Sequence, residues 1–269
     1  MTPIAIDGTT VHVHVAETGD GAPLVLLPSG AGEARDWRRF QRVLPHHRCL
    51  ALDLYGSGAT PAWSGPRPFT IDHQVRLVAA LVNTLDGPAH VCGHSYGGAV
   101  ALRFASTYPR LVRSLAVVEP QCYPLLRDAN DPLFDVPHAL FGRFCSALER
   151  GEPERGWREF IDYFNGAGFW ERLRPELQKT FVATSPVERW SVLFSSPTTI
   201  DDVRSLRMPT LVVCGERTTA PERRMCDLVA SGAPRGMLAV VADAGHMSPI
   251  THPAEVAGIV GEFVGSVEG

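Results

Sequence analysis

Residues 93–98 read Gly93-His94-Ser95-Tyr96-Gly97-Gly98, and their surroundings decide the fold. Ala89 to Gly93 is a short apolar run that predicts a strand. Gly97 to Tyr108 predicts a helix, stopped by Pro109. A serine between the two sits on a sharp strand-to-helix turn, the arrangement written as G-x-S-x-G. Side chains at Gly93 and Gly97 would clash across such a turn. Gly98 and Ala99 let the helix approach the strands closely. The turn exposes the Ser95 hydroxyl and places the following backbone N–H at a helix N-terminus, where negative charge is stabilised.

Outward from this turn, strands and helices alternate. Val11 to Ala16 and Leu24 to Leu27 read as strands. Arg35 to Leu44 is helical, with Trp37, Phe40 and Leu44 at helical spacing. Cys49 to Leu54 is a strand, and Ile71 to Leu85 an amphipathic helix with Thr70 and Asp72 as possible N-caps. Leu115 to Val118 is a strand. Such alternation predicts an α/β fold with a largely parallel sheet and helices on both faces. From Gln121 to about Arg204 it stops, and the chain reads as helices and loops. It resumes with strands at Thr210 to Cys214 and Met237 to Val241, and helices at Pro221 to Ala230 and Pro253 to Val264. The expected organisation is a core of residues 1–120 and 205–269 with a helical cap, 121–204, inserted in it. The insert's aromatics include Phe141, Phe144, Trp157, Phe160, Tyr163, Phe164, Phe169 and Trp170. They either pack its own core or line a pocket beneath it.

A length of 269 residues suits one sizeable core and is short for two independent enzymes. The net charge of −4 gives no basic footprint for nucleic acid. No apolar run reaches membrane-spanning length. The N-terminus, MTPIAIDGTT, shows no basic segment followed by an apolar core, so a cytoplasmic protein is expected. The six cysteines form no C-x-x-C pair and no zinc-ligand spacing, and three lie in strand-like runs. They read as buried free thiols, and no metal is expected.

With these features the chain resembles an α/β-hydrolase with a helical cap, nearly end to end outside the cap. Three further motifs carry the likeness. Leu27-Pro28-Ser29-Gly30-Ala31-Gly32 stands where that family usually has His-Gly. Asp53-Leu54-Tyr55-Gly56-Ser57-Gly58 resembles its D-x-x-G-x-G loop and reads as structural. Ala244-Gly245-His246 follows the last strand, where the family keeps its histidine. The resemblance implies a serine hydrolase without cofactor, with Ser95 as nucleophile and His246 as general base. Of the other histidines, His46 and His47 read as surface residues, and His12 and His14 lie on an early strand. His94 reads as packing, and His252 lies nearer the closing helix. The oxyanion hole needs backbone donors. One is Tyr96; by resemblance the other is Ala31, with Gly30 the near alternative. Ser29 departs from the usual histidine and leaves backbone donation intact.

The acid is the open position. The family most often shows G-E-x-D where this chain reads Gly215-Glu216-Arg217-Thr218, so Thr218 stands in place of the aspartate. Glu119 is the best substitute. It ends the strand Ala116-Val117-Val118, and catalytic groups of this fold collect at the carboxyl ends of strands. The order Ser95, Glu119, His246 keeps the acid between serine and histidine. This position resembles that of zearalenone lactonases. Haloalkane dehalogenases use it too, but with an aspartate nucleophile, and Ser95 argues against that chemistry. Glu216 is the alternative acid. Asp243 reads as a loop hydrogen-bonder, and Asp201 and Asp202 as the start of a helix leaving the insert.

Serine, histidine and acid beside an aromatic-rich insert suit acyl transfer to water. The expected partner is a small molecule: a carboxylic ester or lactone, medium-sized and largely apolar. The same residues would serve a carbon–carbon bond hydrolase acting on a diketone. They would also survive in a non-catalytic ligand receptor on this fold.

Overall fold

Strand β6 (Ala89–His94) is buried along its whole length, as a strand with helices on both faces must be. The computed structural model describes residues 1–6, 8–184 and 187–269. Asp7, Ser185 and Pro186 lie outside the described residues, the last two within the predicted insert. The other strands are β1 (Thr2–Ile6), β2 (Thr9–Val13), β3 (Val15–Thr18), β4 (Pro23–Leu27), β5 (Arg48–Leu52), β7 (Val112–Val118), β8 (Thr210–Gly215) and β9 (Gly236–Val241). β1 and β2 form an antiparallel hairpin. The main sheet runs β3-β5-β4-β6-β7-β8-β9, parallel except for β3 against β5. The chain is an α/β-hydrolase fold.

Side chains alternate between two cores with the period of the pleat. Val25, Leu27, Val91, Val117 and Val212 face one core. It is completed by α2 (Ile71–Val82), α3 (Tyr96–Thr107) and α11 (Ala220–Gly232). Leu24, Leu26, Cys92, Ala116 and Val213 face the other. That side is closed by α1 (Arg38–Gln41) and α13 (Pro253–Glu268), with the short α12 (Ser248–Thr251) before the latter. β9 is one edge of the sheet, where Met237 remains 47% exposed.

Strand order reverses at β4: the chain steps out to β5, then crosses to β6 on the other side. A crevice opens at such a switch point, beyond the carboxyl ends of the strands. Leu27 pairs with Gly93 there, so the Gly30–Ala31 loop and the Ser95 turn leave the sheet side by side.

Between β7 and β8 the described chain is helical: α4 (Pro124–Asp128), α5 (Asp135–Glu149), α6 (Pro153–Asn165), α7 (Phe169–Arg172), α8 (Pro175–Val182), α9 (Val187–Phe194) and α10 (Ile200–Arg204). Asp201 and Asp202 lie in the first turn of α10, where Thr199 and Asp202 form a reciprocal cap. No helix of the described residues is long and apolar enough to cross a membrane.

Two local readings need correction, and one choice between alternatives is settled. Val11 to Ala16 is two strands, not one. The chain leaves the hairpin after Val13 and enters the main sheet at Val15. At the break the His14 N–H is satisfied by Thr60 Oγ1 at 2.9 Å. The segment from Arg35 to Leu44 starts as a 3-10 turn, Ala34–Trp37, and only α1 is α-helical. Its inward residues are still Trp37, Phe40 and Leu44. Of the two possible caps of α2, the structure uses Thr70, paired with His73.

Asp53 ties together the loops that follow β4 and β5. Its buried carboxylate accepts the N–H of Ala34 at 2.6 Å and of Ala59 at 2.9 Å. Asp53→Ala leaves both donors without an acceptor. The expected loss of stability is about 2–4 kcal/mol in urea denaturation.

Candidate active site

Ser95 occupies a backbone conformation that L-residues rarely adopt, with φ 57 and ψ −117. Strain of this kind costs on the order of 1–3 kcal/mol and persists only where the surroundings enforce it. Here they do. The Ser95 N–H donates to Val118 O at 2.9 Å, and its carbonyl accepts from Ala99 and Gln121, both at 3.1 Å. A Cβ on Gly93 would lie 2.3 Å from Gly97 O, and one on Gly97 would lie 2.4 Å from Leu27 O. The two glycines let the turn close on itself and press against the end of β4.

His246 Nε2 lies 3.0 Å from Ser95 Oγ, and His246 Nδ1 lies 2.8 Å from Glu119 Oε2. The structure therefore brings Ser95, His246 and Glu119 into one hydrogen-bonded chain. Glu119 follows β7 directly, in the left-handed region with φ 44. Its own N–H donates to Val213 O at 3.0 Å, so β8 fixes the bend. Glu119 is 0% exposed. Besides His246, its carboxylate accepts the Gly215 N–H at 2.7 Å and the Thr218 hydroxyl at 2.5 Å. Burial opposes charge on this carboxyl, but His246, Thr218 and Gly215 outweigh it and hold Glu119 below the usual glutamate range. An ionised Glu119 can only accept, so Nδ1 carries the histidine proton and Nε2 is free to take the one on Ser95.

Glu216 is exposed and accepts the N–H of Asp243 at 2.9 Å; the structure does not bring it to His246. Asp243, in the loop after β9, pairs with Arg217 in the loop after β8. Thr218 is the neutral donor to Glu119. Tyr96, first residue of α3, follows Ser95 and is buried, its hydroxyl accepting from Gln74 at 3.2 Å. Gly30 is buried with no room for a side chain: a Cβ there would lie 2.8 Å from Trp190 Nε1 and 3.4 Å from Tyr96 Cβ. Ala31, next in the chain, is exposed.

His94 does more than pack. Its Nε2–H donates to the backbone carbonyl of His246 at 2.8 Å. Burial, foremost, and the neighbouring His246 push its pKa down to about 3, so it is a neutral donor. Glu222 is a second residue with no motif to mark it. It lies on α11, buried, beside Thr219. Its only signal in the sequence is helical spacing: residues 222, 225, 226 and 229 form one stripe, with a glutamate among apolar residues.

The end of α6 lies over this arrangement. The Phe164 ring is 4.5 Å from the His246 ring. Ser95 and His246 are each only 3% exposed. Behind them, Phe144, Trp157 and Trp190 pack together, and Phe160 stacks on Trp190 at 4.1 Å. A small cavity within the insert is lined by Gln121, Tyr123, Phe141, Phe160, Trp190 and Phe194, among others. The aromatics are thus shared: Phe144, Trp157 and Trp170 are fully buried, while Phe141 and Phe160 face the cavity.

The model of the alpha/beta hydrolase family matches residues 24–259. The chain is 30% identical to the lipase LipV of Mycobacterium tuberculosis, over 95% of this chain and 98% of that protein. It is 23% identical to a 2-hydroxymuconate semialdehyde hydrolase of Pseudomonas sp. strain CF600, over 96% and 92% of the two. Among solved structures, a thermophilic esterase from Thermogutta terrifontis superposes with a TM-score of 0.80 at 22% identity, covering 99% of this chain and 98% of that one. At that identity the likeness is one of fold.

The lowered pKa of Glu119 has a sign. Its ionised form is favoured in the fold, so its stabilisation is complete above the ordinary value, 4.5, and is lost as pH falls through the lowered one. Glu119→Gln should therefore be less stable than wild type at pH 7. The gap should narrow on acidification below about pH 4.5, as read by urea denaturation at both pH values.

Proposed function

The chain belongs to the alpha/beta hydrolase family, and on that premise we propose that it is a serine hydrolase forming an acyl-enzyme on Ser95. Its substrate is a carboxylic ester or lactone of medium size and largely apolar character. The observation that carries this reading is the unbroken hydrogen-bonded chain from Ser95 through His246 to Glu119. His246 takes the hydroxyl proton as Ser95 attacks the carbonyl, then gives it to the leaving alcohol. Glu119 stabilises the imidazolium and keeps the ring in the tautomer that accepts. The developing oxyanion is met by the N–H of Tyr96 and one from the Gly30–Ala31 segment. Water then enters by the same path and releases the acid. The helical insert, residues 121–204, acts as the cap, and its aromatic wall suits the apolar body of the substrate. The acid after β7, the point of resemblance to zearalenone lactonases, inclines the reading towards lactones. A second reading, hydrolysis of a carbon–carbon bond in a diketone, draws on the likeness to the 2-hydroxymuconate semialdehyde hydrolase.

Wild type should release p-nitrophenol from a short-chain ester and be labelled by a fluorophosphonate; Ser95→Ala should do neither while staying folded. Labelling that survives this change would place the nucleophile elsewhere. Turnover of a diketone with none of any ester or lactone would favour the second reading. Labelling without turnover of either would indicate a ligand receptor.

If Glu119 is the acid, Glu119→Gln should lower kcat by roughly 10³–10⁴-fold, whereas Glu216→Gln should change it by less than about twofold. The reverse pattern in steady-state kinetics would transfer the role to Glu216.

A further inference from the structure

Glu222 takes no part in the chemistry above, yet it lies against it. It is 0% exposed on the first turn of α11, and its Oε1 has no hydrogen-bond partner. Oε2 accepts from the Thr219 hydroxyl and from the Tyr163 hydroxyl, the latter at 3.3 Å. Tyr163 Oη also lies 3.1 Å from Thr219 Oγ1. Tyr163 belongs to α6 and precedes Phe164, the ring that covers His246. Two successive residues of the insert thus do different things: one shields the histidine, and the other fastens to the core. With α6 seated, Ser95 and His246 are each only 3% exposed. Gly166 and Gly168, with φ 92 and 74, follow directly and give the backbone freedom to turn there.

We infer that Tyr163 and Glu222 form a latch that holds α6 over His246, fastened while Glu222 carries a proton. This rests on Ser95 being the nucleophile that the latch encloses. The surroundings explain why the proton matters. Facing Glu222 are Glu119 after β7, His246 after β9, Tyr163 on α6 and Tyr123 at the start of α4, with Cys226 on its own helix. No arginine or lysine among the described residues pairs with it. Burial above all, helped by the charge of Glu119, holds its carboxyl up at about 7, against the pull of His246 and Tyr163. Lifting α6 removes Tyr163 and admits water, so the carboxyl returns towards its ordinary value and its proton passes to solvent. Between the ordinary value, 4.5, and about 7 the closed form therefore binds up to one proton more than the open form. Raising pH through that window favours opening, by at most tenfold per pH unit for one proton, and the effect levels off above it.

The test is the rate at which a fluorophosphonate labels Ser95 in wild type, Glu222→Gln and Tyr163→Phe. The carboxamide of Glu222→Gln stays neutral, so its latch should remain fastened at every pH. The ratio of wild-type to Glu222→Gln labelling should rise by up to about tenfold between pH 6 and pH 8, most of it below about pH 7. Tyr163→Phe should label several-fold faster than wild type at pH 6. A ratio unchanged between pH 6 and 8, or a Tyr163→Phe rate equal to wild type at pH 6, overturns the latch. If Glu222→Gln does not fold, hydrogen exchange of the α6 amides in wild type decides. Corrected for intrinsic rates, their protection should fall between pH 6 and 8, and constant protection overturns the proposal. Wild type that never labels would instead remove the nucleophile reading on which the latch rests.

Discussion

A carboxylate held wholly out of water must have its charge met on every side, and Glu119 is held that way. Its three acceptor contacts come from three parts of the chain: His246 after β9, Gly215 at the end of β8 and Thr218 in the next turn. Each exists only if β7, β8 and β9 are in register. The left-handed backbone at Glu119 is tolerable because β8 receives its N–H. Register, bend and charge compensation therefore stand or fall together. The orientation of the His246 ring follows from them, and the direction in which Ser95 can lose a proton follows from the ring.

The other half of the site is fixed by exclusion. At the reversal of strand order the Ser95 turn and the Gly30–Ala31 loop are so close that backbone meets backbone where side chains would be. Tight packing there aims N–H groups without spending flexible side chains on the task. His94 ties the two halves together, since it belongs to the Ser95 turn yet holds the main chain of His246. A histidine kept neutral by burial does this at any working pH.

Much of this could be read from the sequence, for identifiable reasons. The Ser95 turn is a contiguous pattern whose glycines are forced by local geometry. The place of His246 is set by a late strand followed by Ala-Gly-His. Glu119 could be named because a charge directly after Val-Val, at a strand end, needs a partner. Less was legible where contacts cross the chain. Nothing local tells a packed His94 from one bonded to a carbonyl 152 residues on. Glu222 is marked only by its place in the apolar stripe of its helix. The β1–β2 hairpin was missed because β1 is short, with only Ile4 and Ile6 turned inward, and Val11 to Ala16 looked continuous because a chain can change sheets without losing its apolar period. The insert's aromatics could be counted but not sorted, because both possible uses demand the same side chains.

Thr218 stands where related chains more often keep their acid, and its hydroxyl touches the carboxylate of Glu119 at 2.5 Å. The two positions therefore compete for one space. Two carboxylates so close could not both stay ionised; they would have to share a proton, and the histidine would lose its fixed counter-charge. A small hydroxyl at position 218 avoids that conflict, because it donates to the carboxylate without adding charge. An aspartate placed there would be a rival to Glu119 before it could be a reserve.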